Sequence, residues 1–323
     1  MKHHLTAILL ALPLTLGAAS AGAQAFPSKP IRWLVPYPAG GGTDFLTRTL
    51  GQQLSTQVNQ PVVVDNKPGA GTAIAAAEIA RSVPDGYSIM TADNGTLVFN
   101  QFLYKKLSYR PDKDLTPITL MGRFPMILVV GPNIDAKDAK DFIAKAKASP
   151  GKISYGSAGA GSPHHLAMEM LKVTAGLHMV HIPYRGAAPA LGDLAGGQVQ
   201  AMMVDMAAGA GFIKGSKVRA LAVANHQRLP QLPDVPTFAE LGYKDFEVSA
   251  QVGLAGPAGL PSEVRDVLQK QVAAAIHTPA IKQKLIEFGI EPVGSTPQAY
   301  ADLLQQERAR WQKVIQEQGI ALD

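Results

Sequence analysis

The sequence predicts an α/β protein made of two successive α/β units followed by a helical tail, and three observations carry that reading. Apolar runs of strand length alternate with helix-spaced segments between Ile31 and Thr91. After the proline-bounded stretch Pro111 to Pro117 the alternation starts again and lasts to a second proline-rich stretch, Leu229 to Pro236. Beyond the apolar run Val248 to Ala255 only helical patterns remain. Strands alternating with helices pair in parallel, because a parallel crossover needs a helix-length connection and places that helix on the sheet face.

In chain order, Lys2, an apolar stretch from Leu5 to Ala19, and small residues at Ala21, Ala23 and Ala25 form the pattern of a cleavable signal peptide. The run is shorter than the roughly 18 to 20 residues that cross a bilayer, and Pro13 interrupts it. Cleavage after Ala25, or alternatively Ala23, is expected to release a soluble chain outside the cytoplasm. Ile31 to Val35 is the first strand, Pro36 to Asp44 a glycine loop, and Leu46, Leu50 and Leu54 mark a helix. Pro61 to Asp65 is a valine-rich strand, Thr72 to Arg81 an alanine-rich helix, and Tyr87 to Thr91 a third strand. In the second unit Met126 to Val130 reads as a strand, Ala136 to Ala148 as an amphipathic helix, and Ile153 to Ser157 as a strand. The loop Ala158 to Ser162 then leads into a helix from Pro163 to Ala175, with further strands at Met179 to Pro183, Gln198 to Val204 and Val218 to Val223. Tail helices open at Pro261-Ser262, Pro279 and Thr296-Pro297, where Ser262 and Thr296 fit N-caps and Pro297 a first helical turn. With no strand partner of its own, the tail must pack on an earlier unit, which predicts a discontinuous domain. Residues 1–25 are the signal peptide, 26–125 plus 250–323 lobe 1, and 126–249 lobe 2.

A net charge of +5 without any Lys/Arg cluster, and only 6% aromatic residues, argue against a nucleic-acid partner. The chain has no cysteine, which excludes lipoprotein acylation, disulfides and thiolate metal sites.

Two loops concentrate the chemistry. In Gly40-Gly41-Gly42-Thr43-Asp44 the glycines allow close approach of a ligand, and the helix that begins there points free N–H groups and a positive dipole end at the same spot. The competing role is a plain turn capped by Thr43 or Asp44. Gly156-Ser157-Ala158-Gly159-Ala160-Gly161-Ser162-Pro163-His164-His165 repeats that design in the second unit, with Ser162 as N-cap. One loop per unit suggests a shared cleft. His164 and His165 diverge on a helix and lack an H-x-x-x-H or H-E-x-x-H frame, so capping or ligand contact is expected and no metal or other cofactor. No G-x-S-x-G surrounds Ser157 or Ser162, no P-loop occurs, and both glycine clusters lack the third glycine of G-x-G-x-x-G. No catalytic residue and no enzyme is signalled. Asp205 ends the strand Met202 to Val204, and Asp93 and Asn94 follow another, at the carboxyl ends of strands where α/β folds place ligands.

Val35-Pro36-Tyr37-Pro38-Ala39-Gly40-Gly41-Gly42-Thr43-Asp44, Asn66-Lys67-Pro68-Gly69-Ala70-Gly71 and Pro84-Asp85-Gly86-Tyr87 resemble the Bug-type solute-binding proteins of tripartite tricarboxylate transporters. The likeness continues through Tyr155 to His165, Pro183-Tyr184-Arg185-Gly186, Gly197-Gln198-Val199, Arg219 to Val223, Leu232 to Thr237 and Glu291 to Pro297, in order along the mature chain. The resemblance implies a type II periplasmic binding fold, two lobes joined by crossing strands, with the crossings near Met126 to Val130 and Val248 to Ala255. It implies a small organic carboxylate held by Tyr37, Ala39, Gly41, Gly42, Thr43 and Asp44 on one side. Ser157, Ala158, Gly159, Ser162 and His165 would stand opposite, with Thr91, Asn94 and Asp205 on the walls. Met203 to Gly211 departs from the family pattern and implies a smaller, more apolar wall there.

The expected function is a monomeric periplasmic receptor that delivers its carboxylate to a membrane permease. A sensory module docking on a signalling receptor is the alternative, and a hydrolase or isomerase with His165 or Asp205 as base is a further one.

Overall fold

The computed structural model describes residues 26–317 and 319–322; the expected signal peptide, residues 1–25, lies outside the described residues. Strand β1 (Ile31–Val35) pairs in parallel with β2 (Val62–Asn66) and β3 (Ser88–Asp93), and the connections carry α1 (Gly42–Val58) and α2 (Ala73–Ala80). Leu46, Leu50 and Leu54 form the buried stripe of α1, as their helical spacing requires. After β3 the chain makes a π-type turn at Gly95–Phe99 and the short α3 (Asn100–Leu103).

Next comes β4 (Leu115–Pro125), an eleven-residue strand where the sequence reading has a break from Pro111 to Pro117. Its mix of threonines, glycine, arginine and prolines lacks strand periodicity. Pro117 is tolerated because it faces Ala255 at a register shift, where the ladder is already interrupted.

The second sheet starts with β5 (Ile127–Val130) and continues through α4 (Ala139–Ala148), β6 (Ser154–Ser157), α5 (Pro163–Ala175) and β7 (Val180–Pro183). Then follow α6 (Ala187–Ala195), β8 (Ala201–Val204), α7 (Met206–Lys214) and β9 (Arg219–Val223). Asp138 and Ser162 cap α4 and α5 with their side chains. The sequence reading missed α6 and α7. Both are alanine- and glycine-rich, and their apolar faces show only once β8 lies between them.

The chain returns through β10 (Ser249–Pro257), then α8 (Ser262–His277), α9 (Pro279–Glu287), the two-residue β11 (Glu291–Pro292) and α10 (Pro297–Glu317). Thr296 Oγ1 accepts from Ala299 N, as an N-cap does. Ser262 does not cap α8. Pro261 holds that position without a side-chain bond, and Ser262 is the first helical residue. The tail does contribute a strand, since β11 pairs with β4.

One sheet runs β11-β4-β10-β3-β1-β2 and the other β7-β6-β8-β5-β9. The sheets are joined at the first residue of each expected crossing segment. Met126 N donates to the Val248 carbonyl at 3.0 Å, Val248 N to Ala224 at 3.0 Å, and Ala224 N to Met126 at 2.7 Å. β5 and β10 are therefore inside their sheets, and Met126 and Val248 are the connectors. Trp311 of α10 packs edge-on against Phe99 at 4.7 Å, and Arg308 Nε donates to the Leu97 carbonyl, so the tail covers the first sheet. Among the described residues no helix is long and apolar enough to cross a membrane.

Candidate ligand-binding site

β1, β3, β6 and β8 all end at the gap between the sheets. The first structure on the gap is the loop from Pro36 into α1. Gly40 has φ +91°, and Gly41 takes the N-cap position of α1 with no side-chain bond, so the first-turn amides are not capped by any side chain. Asp44 turns back instead. Its carboxylate accepts from Gly40 N, Arg48 Nε and the Asn66 amide, at 2.9 to 3.0 Å. Desolvation works to raise its pKa, but these bonds outweigh it and hold the group below the ordinary carboxylate value. Asp44 thus shapes the loop and does not line the cavity.

Opposite, the loop from Ser157 to Ser162 is held by the buried His165 and the half-buried His181. Ser157 Oγ lies 2.7 Å from His181 Nε2, and Gly159 N donates to that same hydroxyl at 3.1 Å. His165 accepts from Gly161 N through Nδ1 and stacks on His181 at 3.9 Å between ring centres. Burial first, then Lys172, pushes His165 down to about 4, and burial followed by His165 pushes His181 down to about 3. Both rings are uncharged supports of the loop.

A partly open cavity of about 40 Å³ lies between the loops. Of the expected residues, Tyr37, Ala39, Gly41, Gly42, Thr43, Ala158 and Asp205 line it. A groove of about 550 Å³ adjoins it, sharing Tyr37, Pro38, Ala158, Arg185 and Gly186, and there Gly159 and Ser162 join the lining. The inner space has room for a few waters, so a larger molecule reaches it with one end while the rest lies in the groove, or as the lobes part.

Asp44, Thr91, Asn94, Ser157 and His165 are not brought to either wall. Thr91 is wholly buried between Trp33 Nε1 and Thr47 Oγ1, at 2.9 and 2.6 Å. Asn94 pins the crossing strand, donating to the Ser249 carbonyl and accepting from Gln251 N.

His164 and Asp93, which the sequence offers as a ligand contact and a strand-end candidate, also line the cavity, and the structure adds Arg185 and the apolar Phe124, Ala250 and Val252. Asp93 Oδ2 accepts from Tyr37 OH at 2.6 Å, and Oδ1 accepts from Thr96 N and Oγ1, both at 2.9 Å. Burial, then the Asp93 charge, holds the Tyr37 phenol well above its ordinary pKa, so it stays a donor. Asp205 caps α7 through Ala208 N at 3.0 Å and meets His164 Nε2 at 3.1 Å. Arg185 makes no ion pair or hydrogen bond with any described residue and lines both spaces. Tyr184-Arg185-Gly186 was legible in the sequence as part of the resemblance, but nothing local marked Arg185 as the cation of the cleft. Phe124, Ala250 and Val252 carry no signal because they belong to strands whose inward faces look like any core. Among the described residues no group of three or more histidine, aspartate or glutamate side chains could hold a metal ion.

The arrangement joins uncapped helix amides and the Arg185 guanidinium around one gap, while the Tyr37 hydroxyl proton is spent on Asp93. These groups complement an anion that enters with a carboxylate-like end.

The family model described as "Tripartite tricarboxylate transporter family receptor" (TctC) matches residues 46–320. The UPF0065 protein in the tcbD-tcbE intergenic region of a Pseudomonas species is 38% identical over 314 residues, 96% of this chain and 93% of that protein. BugT of Bordetella pertussis is 33% identical over 306 residues, 94% of each. Among solved structures, the periplasmic binding protein BugD superposes with a TM-score of 0.87 at 34% identity, covering 92% of this chain and all of that one. A Rhodopseudomonas palustris protein with adipate reaches 0.89 at 33% identity, over 92% of this chain and all of that one. MatC of the same organism, with bound malate, reaches 0.85 at 31% identity, over 90% of this chain and all of that one. This chain has the two-lobe fold of the periplasmic binding protein BugD and belongs to the tripartite tricarboxylate transporter receptor family, TctC, with the Bug proteins.

Proposed function

We propose that the protein is a periplasmic receptor that captures a small organic carboxylate between its lobes and delivers it to the permease of a tripartite tricarboxylate-type transporter. The observation that carries this reading is the opposition of the two loops. The uncapped first turn of α1 faces the Ala158–Ser162 loop across a gap walled by Tyr37 and Arg185. Adipate and malate bound to relatives of the same fold support a carboxylate as the ligand class. The boundaries 26–125 plus 250–323 and 126–249 are proposed as the two closing lobes, since the sheets divide the chain close to those positions. Closure about Met126 and Val248 would exclude water from the anion and strengthen its bonds to the amides.

The test is a melting-temperature screen of the mature chain, freed of co-purified ligand, against mono-, di- and tricarboxylic acids. At least one acid should raise the midpoint by several degrees, as a ligand bound only by the folded state does at about 100 times its Kd. Absence of a shift with every acid, or turnover of one of them, would contradict the reading.

A further inference from the structure

His164 and His165 are neighbours in sequence with opposite fates. His165 turns into the stack on His181, whereas His164 lines the inner cavity and is 8% exposed. Its Nε2 meets Asp205 Oδ2, but its Nδ1 is buried with no hydrogen-bond partner. Among the buried side-chain nitrogen and oxygen atoms left unpaired in the described residues, it alone sits on a residue lining the cavity or the groove. Polar atoms removed from water are nearly always paired, so an unpaired one on a ligand wall calls for a partner that arrives with the ligand.

The chemistry of that partner follows from the other end of the ring. Asp205 Oδ1 accepts from Ala208 N, which orients the carboxylate. An ionised carboxylate only accepts, so the proton between the two groups is carried by Nε2, and the neutral ring in that tautomer presents a lone pair at Nδ1. Of the two carboxylates on the cavity, Asp93 is occupied by Tyr37 and Thr96, and Asp205 is shared between the ring and Ala208 N.

We propose that His164 is a specificity residue whose Nδ1 accepts a hydrogen bond from the ligand, so that the preferred ligand is a carboxylic acid also bearing a hydroxyl or ammonium donor. This rests on the carboxylate reading given above. It narrows the class, since a plain dicarboxylate leaves Nδ1 as unpaired as it is without ligand. A site built to bond one polar group discriminates strongly against the analogue that lacks it.

The test is calorimetric titration of the mature chain with matched acids: succinate against malate and aspartate, and glutarate against 2-hydroxyglutarate and glutamate. In the wild type one donor-bearing acid should bind at least about tenfold tighter than its plain counterpart, the worth of one good hydrogen bond. The hydroxyl and amino arms show which donor is used. H164Q, which can still reach Asp205 with an amide N–H but has no acceptor at the Nδ1 position, should bring the ratio to near unity. H164A, measured beside it so that the test survives one poorly folding variant, should do the same. H164N, whose amide oxygen can replace Nδ1, should keep the preference. Equal affinities in the wild type, a preference for the plain acid, or a ratio that survives in H164Q and H164A would overturn the proposal while leaving carboxylate binding intact. Binding of none of these acids, together with a flat melting screen, would instead remove the carboxylate reading on which it rests.

Discussion

At the scale of single residues, the site depends on side chains whose partners decide their protonation. His165 is buried and His181 half-buried, and desolvation lowers their pKa values to about 4 and about 3. In the unfolded chain such rings take a proton near pH 6.5. Below that value the unfolded state holds more protons than the folded one, so their contribution is fully present above about pH 6.5 and is lost as pH falls toward about 4. The melting temperature should be level between about pH 7 and 8 and should decline between about pH 6.5 and 4.5, before most carboxylates titrate. H181N should make that decline shallower, and a midpoint that does not move over this interval would contradict the assignment. Tyr37 supports a second prediction. Y37F deletes a 2.6 Å bond and leaves a buried Asp93 oxygen unpaired, which should cost about 1 to 3 kcal/mol in chemical denaturation and should also weaken carboxylate binding.

At the scale of elements, the approach of α1 to α7 sets how tightly the gap closes. A Cβ on Gly42 would stand 2.8 Å from Asp205 Oδ1, 2.9 Å from the Ala207 Cβ and 3.1 Å from Phe124. The aspartate can swing away, but the Ala207 methyl is fixed to its helix. G42A should therefore hold the lobes apart and weaken ligand binding by about tenfold or more, in line with an overpacking cost of roughly 1 to 3 kcal/mol, with little change in the unliganded melting temperature. Wild-type affinity in G42A would show that α1 and α7 need not meet. Gly253 on β10 is different in kind, because a Cβ there would lie 2.3 to 2.6 Å from the Tyr300 ring of α10. G253A should destabilise the unliganded protein by about 1 to 3 kcal/mol, read as a shift in denaturant midpoint without a change in slope.

The same scale explains what could be read from sequence alone. The strand, glycine loop and helix at Ile31 to Leu54 and at Ser154 to Ala175 announce themselves through local spacing, cap chemistry and left-handed glycines, all short-range features. β4 did not, because its stability comes from β10, more than 120 residues later, and its own residues carry no alternation. Site residues divide in the same way. Gly41, Gly42 and Ala158 follow from loop position, whereas the burial of Thr91 and His165 away from the cleft depends on Trp33, Thr47 and His181, which reach them from other elements. Asn94 was rightly placed at the end of β3, but its amide is spent on β10.

At the scale of the whole molecule, two sheets meet through Met126 and Val248, and the C-terminal helix clamps the first of them. That layout leaves short connections between two packed sheets, which the proposed capture by closure requires. The central claim is that one carboxylate is held by both loops at once. Hydrogen exchange of backbone amides, with and without the acid that gives the largest melting shift, addresses it most directly. The account predicts that ligand slows exchange together at Gly41 to Thr43 and at Ala158 to Gly161. Protection of one loop alone, or of neither while the acid is bound, would contradict it.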